Sequence, residues 1–125
     1  MSGHPKFFLG SDSAPHPAQS KSVASPHRAC AAGVYTSPIL LPLVAHLLES
    51  FGALDRLQNF VSNYGRAFYG RKAGANARRI VLDKVNNYRM EDTWTFDDES
   101  VRPFWGGKEL GWQISDVSTM ETAVC

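Results

Sequence analysis

The first apolar positions of the chain form a short continuous run with polar residues on both sides. Lys6-Phe7-Phe8-Leu9-Gly10 is followed at once by Ser11-Asp12-Ser13. An unbroken apolar run that ends in polar residues is typical of a strand buried on both faces, as in a parallel sheet. Such a strand needs a neighbour on each edge, and no later segment has the pattern of a comparable strand followed by a crossover helix. We therefore expect a partner that precedes this segment and is missing from the chain.

The middle of the chain changes to helical spacing of apolar residues. An amphipathic helix is predicted over Ile39–Phe51, ending at Gly52. A second helix is predicted over Leu54–Asn63, followed by a short turn or helix at Gly65–Tyr69. We interpret these apolar stripes as core. The preceding stretch, Ser11–Ser37, is rich in Pro, Ser, Ala and His and predicts a loop of roughly 25 residues, a length usually associated with function or disorder.

Beyond Gly70 the pattern favours strands and turns. Arg79–Val85 is β-prone, Trp94–Phe96 opens an acidic region, and Val101–Trp112 has the pattern of a turn followed by a short strand. The last segment, Asp116–Cys125, shows no periodicity and is predicted to be a disordered tail. The chain is therefore divided into a structured portion, residues 1–115, and a tail, residues 116–125.

Composition and charge narrow the class of protein. The 125 residues are 43% hydrophobic and 20% charged with a net charge of +1, which is typical of one soluble globular domain or a piece of one. The scattered basic residues argue against a nucleic-acid partner. The most apolar run is too short to cross a membrane, and no signal peptide is recognised, so a cytoplasmic location is expected. Cys30 and Cys125 have neither metal-type nor redox-type spacing.

The candidate chemistry lies where the first apolar run ends. Asp12 would follow the carboxyl end of a buried strand, and His16 lies four residues further on. In parallel αβ barrels the side chains at that end of a strand point into the catalytic mouth. A carboxylate there could bind zinc or move a proton, and a histidine could bind an anionic substrate group. A lone aspartate after a strand more often caps a turn, and a lone histidine after proline is more often solvated, so both interpretations stay open on these residues alone.

Several separated motifs resemble one enzyme family. Phe7–His16 (FFLGSDSAPH) is similar to the last barrel strand and following loop of the dihydroorotases, in the single-function microbial and fungal form, within the amidohydrolase superfamily. Ala31–Gly33 with Ser37-Pro38 resembles the family's substrate loop and helix entry. Further likenesses follow in the family's order at Asn63–Gly70 and at Val101–Phe104 with Trp112. Together they span roughly Ser2 to Ser115.

This resemblance implies an α/β fold and a defined reaction. The chain would be the C-terminal part of a (β/α)8 barrel: its last strand, the following helices and a C-terminal extension. The family's barrel holds two zinc ions bridged by a carboxylated lysine and reversibly cyclises N-carbamoyl-L-aspartate to L-dihydroorotate in pyrimidine (UMP) biosynthesis. By position, Asp12 is implied to be a zinc ligand and the general acid/base. His16 and the backbone of Ala32 are implied to bind the substrate carboxylate, and the complete enzyme is expected to be a homodimer.

The chain also departs from the family's pattern. The family's His-x-His motif, bridging lysine and two further metal histidines all lie upstream of the matching segment, and His4, His27 and His46 do not replace them. One carboxylate cannot hold two zinc ions, so the chain alone is expected to be inactive and at best marginally folded. Two alternatives stay open. The chain could be a non-catalytic remnant that binds a protein partner such as a complete dihydroorotase, or a small-ligand module that binds carboxylates through His16 and the Ala32 backbone.

Overall fold

The computed structural model of the chain describes residues 3–21, 30–71 and 78–119. They belong to two compact units that are interleaved along the sequence. The first unit combines Met1–Gly10, Leu41–Asn86 and Gly111–Cys125, and the second combines Ser11–Leu40 and Asn87–Leu110. In these described ranges, no helix has both the length and the apolar character needed to cross a bilayer.

Helix α1, Leu40–Ser50, supplies most of the buried residues of the first unit. Its buried positions are Pro42, Leu43, Val44, Ala45 and Leu48. Gly52 follows the helix with a φ of +62°, and its N–H donates to the carbonyl of Glu49 at 2.9 Å. A glycine in the left-handed region just past a helix end is a common way to satisfy the last carbonyls. The predicted helix over Ile39–Phe51 is confirmed, with one residue fewer at each end.

A second helical stretch follows, and its geometry changes along its length. It passes through a 3-10 turn at Leu54–Arg56, a π-helical turn at Asn59–Asn63 and helix α2 at Tyr64–Phe68. The helix predicted over Leu54–Asn63 is confirmed in position, and of the short turn or helix predicted at Gly65–Tyr69 the structure has the helix. A Cβ on Gly65 would lie 3.3 Å from the ring of Phe8. The glycine therefore allows α2 to approach this aromatic ring closely.

The segment Lys6–Gly10 differs from the buried strand that its sequence predicts. It forms no ladder with another described segment, and the side chain of Phe7 is 67% exposed. The N–H of Leu9 donates to the carbonyl of Phe60 at 3.0 Å, which anchors the segment to the π-helical turn. A strand of a parallel sheet exists only through hydrogen bonds to its neighbours. With no such neighbour among the described residues, the apolar run stays irregular.

The remaining regular structure of the first unit is an antiparallel pair of strands. Strand β1, Arg78–Lys84, pairs with strand β4, Trp112–Thr119. The register carries an irregularity between Val81 and Leu82, opposite Ser115, which is the extra residue of a β-bulge on β4. The β-prone segment predicted at Arg79–Val85 is thereby confirmed, shifted by one residue.

The predicted disordered tail from Asp116 is corrected by this pairing. Residues 116–119 belong to β4, and Asp116 pairs with Val81 while Thr119 pairs with Arg78. The backbone groups of these residues are satisfied by a strand more than thirty residues earlier, which no local pattern reveals. Residues 120–125 lie outside the described residues.

The second unit consists of a small hairpin and two ordered loop segments. Strands β2, Trp94–Phe96, and β3, Glu99–Val101, pair antiparallel through a turn in which Asp97 has a φ of +52°. Aspartate tolerates this left-handed conformation better than most residues. The most buried apolar side chains of the unit are Ile39, Met90 and Leu110. Isolated bridges join Ser13 to Val34 and Pro17 to Val101, so the predicted long loop is held to its surroundings where it is described.

The α/β fold class expected from the resemblance is confirmed, as a part of a barrel and not a closed one. Helices and antiparallel strand pairs make an α/β structure, and the described residues contain no closed barrel. What the fold does provide for a site is the pair of loop segments in the second unit.

Candidate functional site

The three residues singled out from the sequence lie on two adjacent loop segments of the second unit. Asp12 and His16 lie on the first segment, residues 11–21, and Ala32 lies on the second, residues 30–36. The N–H of Ala14 donates to the carbonyl of Val34 at 2.9 Å. The structure therefore aligns the segments that carry all three residues.

A serine side chain fixes the end of the second segment to the first. The hydroxyl oxygen of Ser13 accepts hydrogen bonds from the N–H groups of Thr36 and Ser37, at 3.0 and 2.9 Å. These N–H groups lie at the start of the 3-10 turn Ser37–Ile39 that precedes α1. The first turn of a helix leaves such donors without intrahelical acceptors, so Ser13 caps the turn from a distant part of the chain.

Gly33 is required where the two segments approach each other. Its φ is +98°, and a Cβ built on it would lie only 2.6 Å from the Cβ of Ala14. Both the backbone conformation and the lack of space exclude a side chain here. Gly33 therefore determines the path of the backbone beside Ala32.

Lys21 holds the carbonyl groups on both sides of Ala32. Its ammonium Nζ donates to the carbonyl of Ala31 at 2.6 Å and also to that of Gly33. The N–H of Ala31 in turn donates to the carbonyl of Ser20 at 2.9 Å. Hydrogen bonds from a charged donor are about twice as strong as those between neutral groups, so Ala32 lies on a restrained stretch of backbone.

A pocket of about 200 Å³ opens beside these segments. It is lined by Ala14, His16, Lys21, Gly33, Val34, Tyr35, Arg102, Pro103 and Phe104. Three of these side chains are basic or can become cationic, namely His16, Lys21 and Arg102. The guanidinium of Arg102 also pairs with Asp92 at 2.6 Å. A small anion such as a carboxylate suits this lining better than a neutral ligand.

Asp12 stands apart from the pocket lining and has an unusual backbone. It is exposed, with a φ of +42°. Aspartate is among the few residues that enter the left-handed region, and residues held there often belong to functional sites. Ala32 likewise does not line the pocket. Of the three predicted residues, the structure therefore brings only His16 into the pocket, with Gly33 beside Ala32.

The described residues do not fit a zinc site by themselves. No group of three or more His, Cys, Asp or Glu side chains that could hold a metal ion occurs in ranges 3–21, 30–71 and 78–119. Zinc in proteins is held by at least three such ligands. Asp12 could supply one ligand only, so the remaining ligands of a zinc centre would have to come from outside the described residues.

Lys21 and Arg102 were not identified as site residues from the sequence. Lys21 follows a polar stretch, and the carbonyls that it binds lie 10 and 12 residues later. Arg102 belongs to a motif that was noted only for its family resemblance. A short-range pattern contains no signal for either role, because both depend on how distant segments meet.

The chain is similar to a portion of curated dihydroorotases. No family model matches it. It is 41% identical to a dihydroorotase of Mycosarcoma maydis, in a match that covers 90% of this chain and 40% of the relative. It is 40% identical to a dihydroorotase of Alkalilimnicola ehrlichii, covering 90% of this chain and 31% of the relative. The chain thus spans about a third to two fifths of the length of these curated relatives.

Solved structures give the same assignment. A crystal structure of dihydroorotase from Saccharomyces cerevisiae in complex with 5-fluoroorotic acid matches with a TM-score of 0.80 and 35% identity, covering 97% of this chain and 32% of that one. Dihydroorotase from Campylobacter jejuni matches with a TM-score of 0.70 and 28% identity, covering 92% and 31%. The resemblance seen in the motifs is confirmed, and the chain corresponds to a portion of an enzyme of the dihydroorotase family.

Proposed function

We propose that this chain is the part of a dihydroorotase that contributes the catalytic aspartate and the contacts to the substrate carboxylate. The proposed reaction is the reversible, zinc-dependent cyclisation of N-carbamoyl-L-aspartate to L-dihydroorotate in pyrimidine biosynthesis. The observation that carries the proposal is the similarity, at about 40% identity, over 90% of the chain. The basic pocket beside His16 supports it, because both substrates carry a carboxylate.

His16 and Ala32 are proposed to bind that carboxylate. His16 lines the basic pocket, and Ala32 lies between two carbonyl groups restrained by Lys21. An imidazole N–H and a backbone N–H are both suitable donors to a carboxylate oxygen. Their task is to bind and orient the substrate, so that the reacting amide lies at a fixed place.

Asp12 is proposed to move the proton. In the ring-opening direction, water adds to the ring carbonyl and the C–N bond then breaks. The Asp12 carboxylate would accept one proton of the attacking water and return it to the departing nitrogen, so that Asp12 ends the reaction ionised as it began. The second proton of the water remains on the new carboxyl group, which releases it to solvent at neutral pH. Its exposure leaves the carboxylate accessible to a substrate.

Zinc and its ligands beyond Asp12 are proposed to belong to polypeptide outside this chain. The chain alone is then inactive, and the active species, proposed to be cytoplasmic and homodimeric, contains the rest of the barrel. When bound, zinc would polarise the reacting carbonyl and lower the pKa of water. His16 and Ala32 of this chain would bind the substrate carboxylate, and Asp12 would transfer the proton.

A chimeric enzyme tests the proposal directly. In the S. cerevisiae dihydroorotase, the portion matched by this chain is replaced by the sequence of the chain, and dihydroorotate hydrolysis is measured. We expect the chimera to be active and the 125-residue chain alone to show no turnover above buffer. A folded, zinc-loaded chimera without activity would contradict the proposal, and turnover by the chain alone would contradict its dependence on further polypeptide.

A second candidate function is a non-catalytic remnant that binds a protein partner such as a complete dihydroorotase. It is favoured by large aromatic side chains on the first unit that remain exposed: Phe7 at 67%, Phe68 at 69% and Tyr69 at 68%. The rings of Phe68 and Tyr69 contact each other, with centroids 4.9 Å apart, and contiguous exposed apolar surface often belongs to a contact surface. Co-purification of the chain with an intact dihydroorotase, combined with an inactive chimera, would favour this candidate.

A further inference from the structure

Lys21 occupies a position from which it controls the direction of one backbone N–H. Its Nζ lies 2.6 Å from the carbonyl oxygen of Ala31. That carbonyl and the N–H of Ala32 belong to the same peptide group. Because a trans peptide is planar, its C=O and N–H point in opposite directions. Holding the Ala31 oxygen toward Lys21 therefore turns the Ala32 N–H to the opposite side of the peptide.

The second carbonyl bound by Lys21 prevents the segment from twisting. The same ammonium donates to the carbonyl of Gly33. The peptide group before the Ala32–Gly33 bond and the peptide group after it are therefore both hydrogen-bonded to one cation. Two of its three donors are used in this way. Gly33 lacks a Cβ and has a φ of +98°, a position where the backbone would otherwise have unusual freedom. The ammonium removes that freedom at the point where the N–H must be aimed.

The charge of Lys21 also changes the donor strength of the Ala32 N–H. A hydrogen bond to a peptide oxygen draws electron density from the peptide, and chains of hydrogen bonds polarise one another. The Ala32 N–H therefore becomes a better donor to an anion. A neutral side chain at position 21 could preserve the shape of the loop but would lose this effect.

We propose that Lys21 is a positioning residue that orients and strengthens the Ala32 N–H as a donor to the substrate carboxylate. The inference rests on the proposed role of Ala32 in carboxylate binding and adds a residue to it. Lys21 acts through the Ala31 and Gly33 carbonyls. It does not itself take part in proton transfer.

The test compares ligands with and without the carboxylate. The zinc-loaded chimera, in which this chain replaces the matching portion of the S. cerevisiae dihydroorotase, is titrated with L-dihydroorotate and with 5,6-dihydrouracil, which has the same ring without the carboxylate. We expect the protein to prefer dihydroorotate and Lys21→Met to reduce this preference by ~10- to 100-fold, the range for a hydrogen bond to a charged group. Binding of dihydrouracil should be unchanged, which a general structural defect would not allow. Lys21→Arg should restore much of the preference, and the exposed-site variant Lys6→Met is the matched control.

A second measurement addresses the orientation of the N–H itself. In the ¹⁵N-labelled chimera, the Ala32 amide signal is recorded for the wild type, Lys21→Met and Lys21→Arg. We expect the signal to shift in Lys21→Met and to return toward its original position in Lys21→Arg. An Ala32 signal that is identical in the wild type and Lys21→Met would overturn the inference, whether or not ligand binds.

The two proposals fail in distinguishable ways. If the wild type shows no preference for dihydroorotate over dihydrouracil, carboxylate recognition by His16 and Ala32 is refuted, while the Ala32 signal still decides the orienting role of Lys21. If the wild type has the preference and Lys21→Met retains it, only the role of Lys21 is refuted.

Discussion

The indole Nε1–H of Trp112 donates a hydrogen bond to Oε2 of Glu49 at 3.0 Å. The other oxygen of the same carboxylate pairs with Lys84. Glu49 lies near the end of α1, whereas Lys84 and Trp112 are paired residues at one end of the β1–β4 ladder. One side chain of the helix therefore contacts both strands of the first unit.

This arrangement predicts an acid-dependent contribution of Glu49 to stability. The hydrogen bonds from Lys84 and then from Trp112 hold the pKa of Glu49 below its ordinary value of 4.5. A carboxyl group whose pKa is lowered by folding stabilises the folded state above its ordinary pKa, and that contribution is lost as the pH falls through the lowered value. In the chimera, we expect Glu49→Gln to lower Tm at pH 7 and the difference from the wild type to shrink below pH 4.5. Glu91→Gln, a change at an exposed carboxylate, is the control. A difference that stays constant across this pH range would contradict the prediction.

A side chain at Gly33 is predicted to destabilise the protein in two ways, through the left-handed backbone and through the contact with Ala14. We expect Gly33→Ala to destabilise the chimera by ~1–3 kcal/mol from the left-handed backbone alone, with an additional cost from the 2.6 Å approach to Ala14. The double variant Gly33→Ala with Ala14→Gly removes the contact and should recover only the additional part. Urea unfolding gives both free energies. Gly10→Ala, at a position with no atom within 4 Å of the added Cβ, should change the free energy of unfolding by less than about 0.5 kcal/mol.

The proposed roles of Asp12 and His16 predict different kinetic signatures. Asp12→Asn removes the proton acceptor but keeps a side chain that tolerates a positive φ. We expect it to lower kcat of the chimera by ~10²- to 10⁴-fold. His16→Gln should instead act mainly on KM, raising it by roughly 10-fold or more through the weakened carboxylate contact. His4→Gln serves as the control for loss of a histidine. An Asp12→Asn variant with normal kcat would refute the assignment of Asp12.

The isolated chain is predicted to fold poorly. Among the described residues, eight apolar side chains other than proline are buried, whereas several large aromatic ones are exposed. A small core of this kind rarely offsets the conformational entropy lost on folding. Circular dichroism of the 125-residue chain should show a broad, non-cooperative loss of helix signal on heating. A sharp transition with the helix content of α1 and α2 would contradict this prediction.

The elements that the sequence predicted correctly are those whose signal is local. In α1, the apolar residues recur every three or four positions, and the glycine that follows marks the end, so the predicted bounds were off by one residue. The contact between Glu49 and Trp112 joins residues 63 positions apart, and nothing in the spacing of either residue indicates it. The role proposed for Lys21 could not be predicted from spacing either, because it depends on carbonyl groups of a separate segment. Asp12 and His16 were candidates because they follow an apolar run, but only the family resemblance implied roles for them and for Ala32.

The bulge at Ser115 explains why β4 was hidden from a pattern search. Leu82 pairs with Ile114 and Ile80 pairs with Val117, so the inserted serine brings Ile114 and Val117, three positions apart, to the same side of the ladder. A strand normally returns a residue to the same side every second position. Ser115 is an extra position in this alternation: without it the strand would alternate regularly, and Ile114 and Val117, then two positions apart, would still lie on the same side of the ladder. A one-residue deletion at position 115 should therefore preserve the pairing and the facing of β4, whereas deletion of a regularly paired residue of the strand would turn every side chain beyond it to the opposite side.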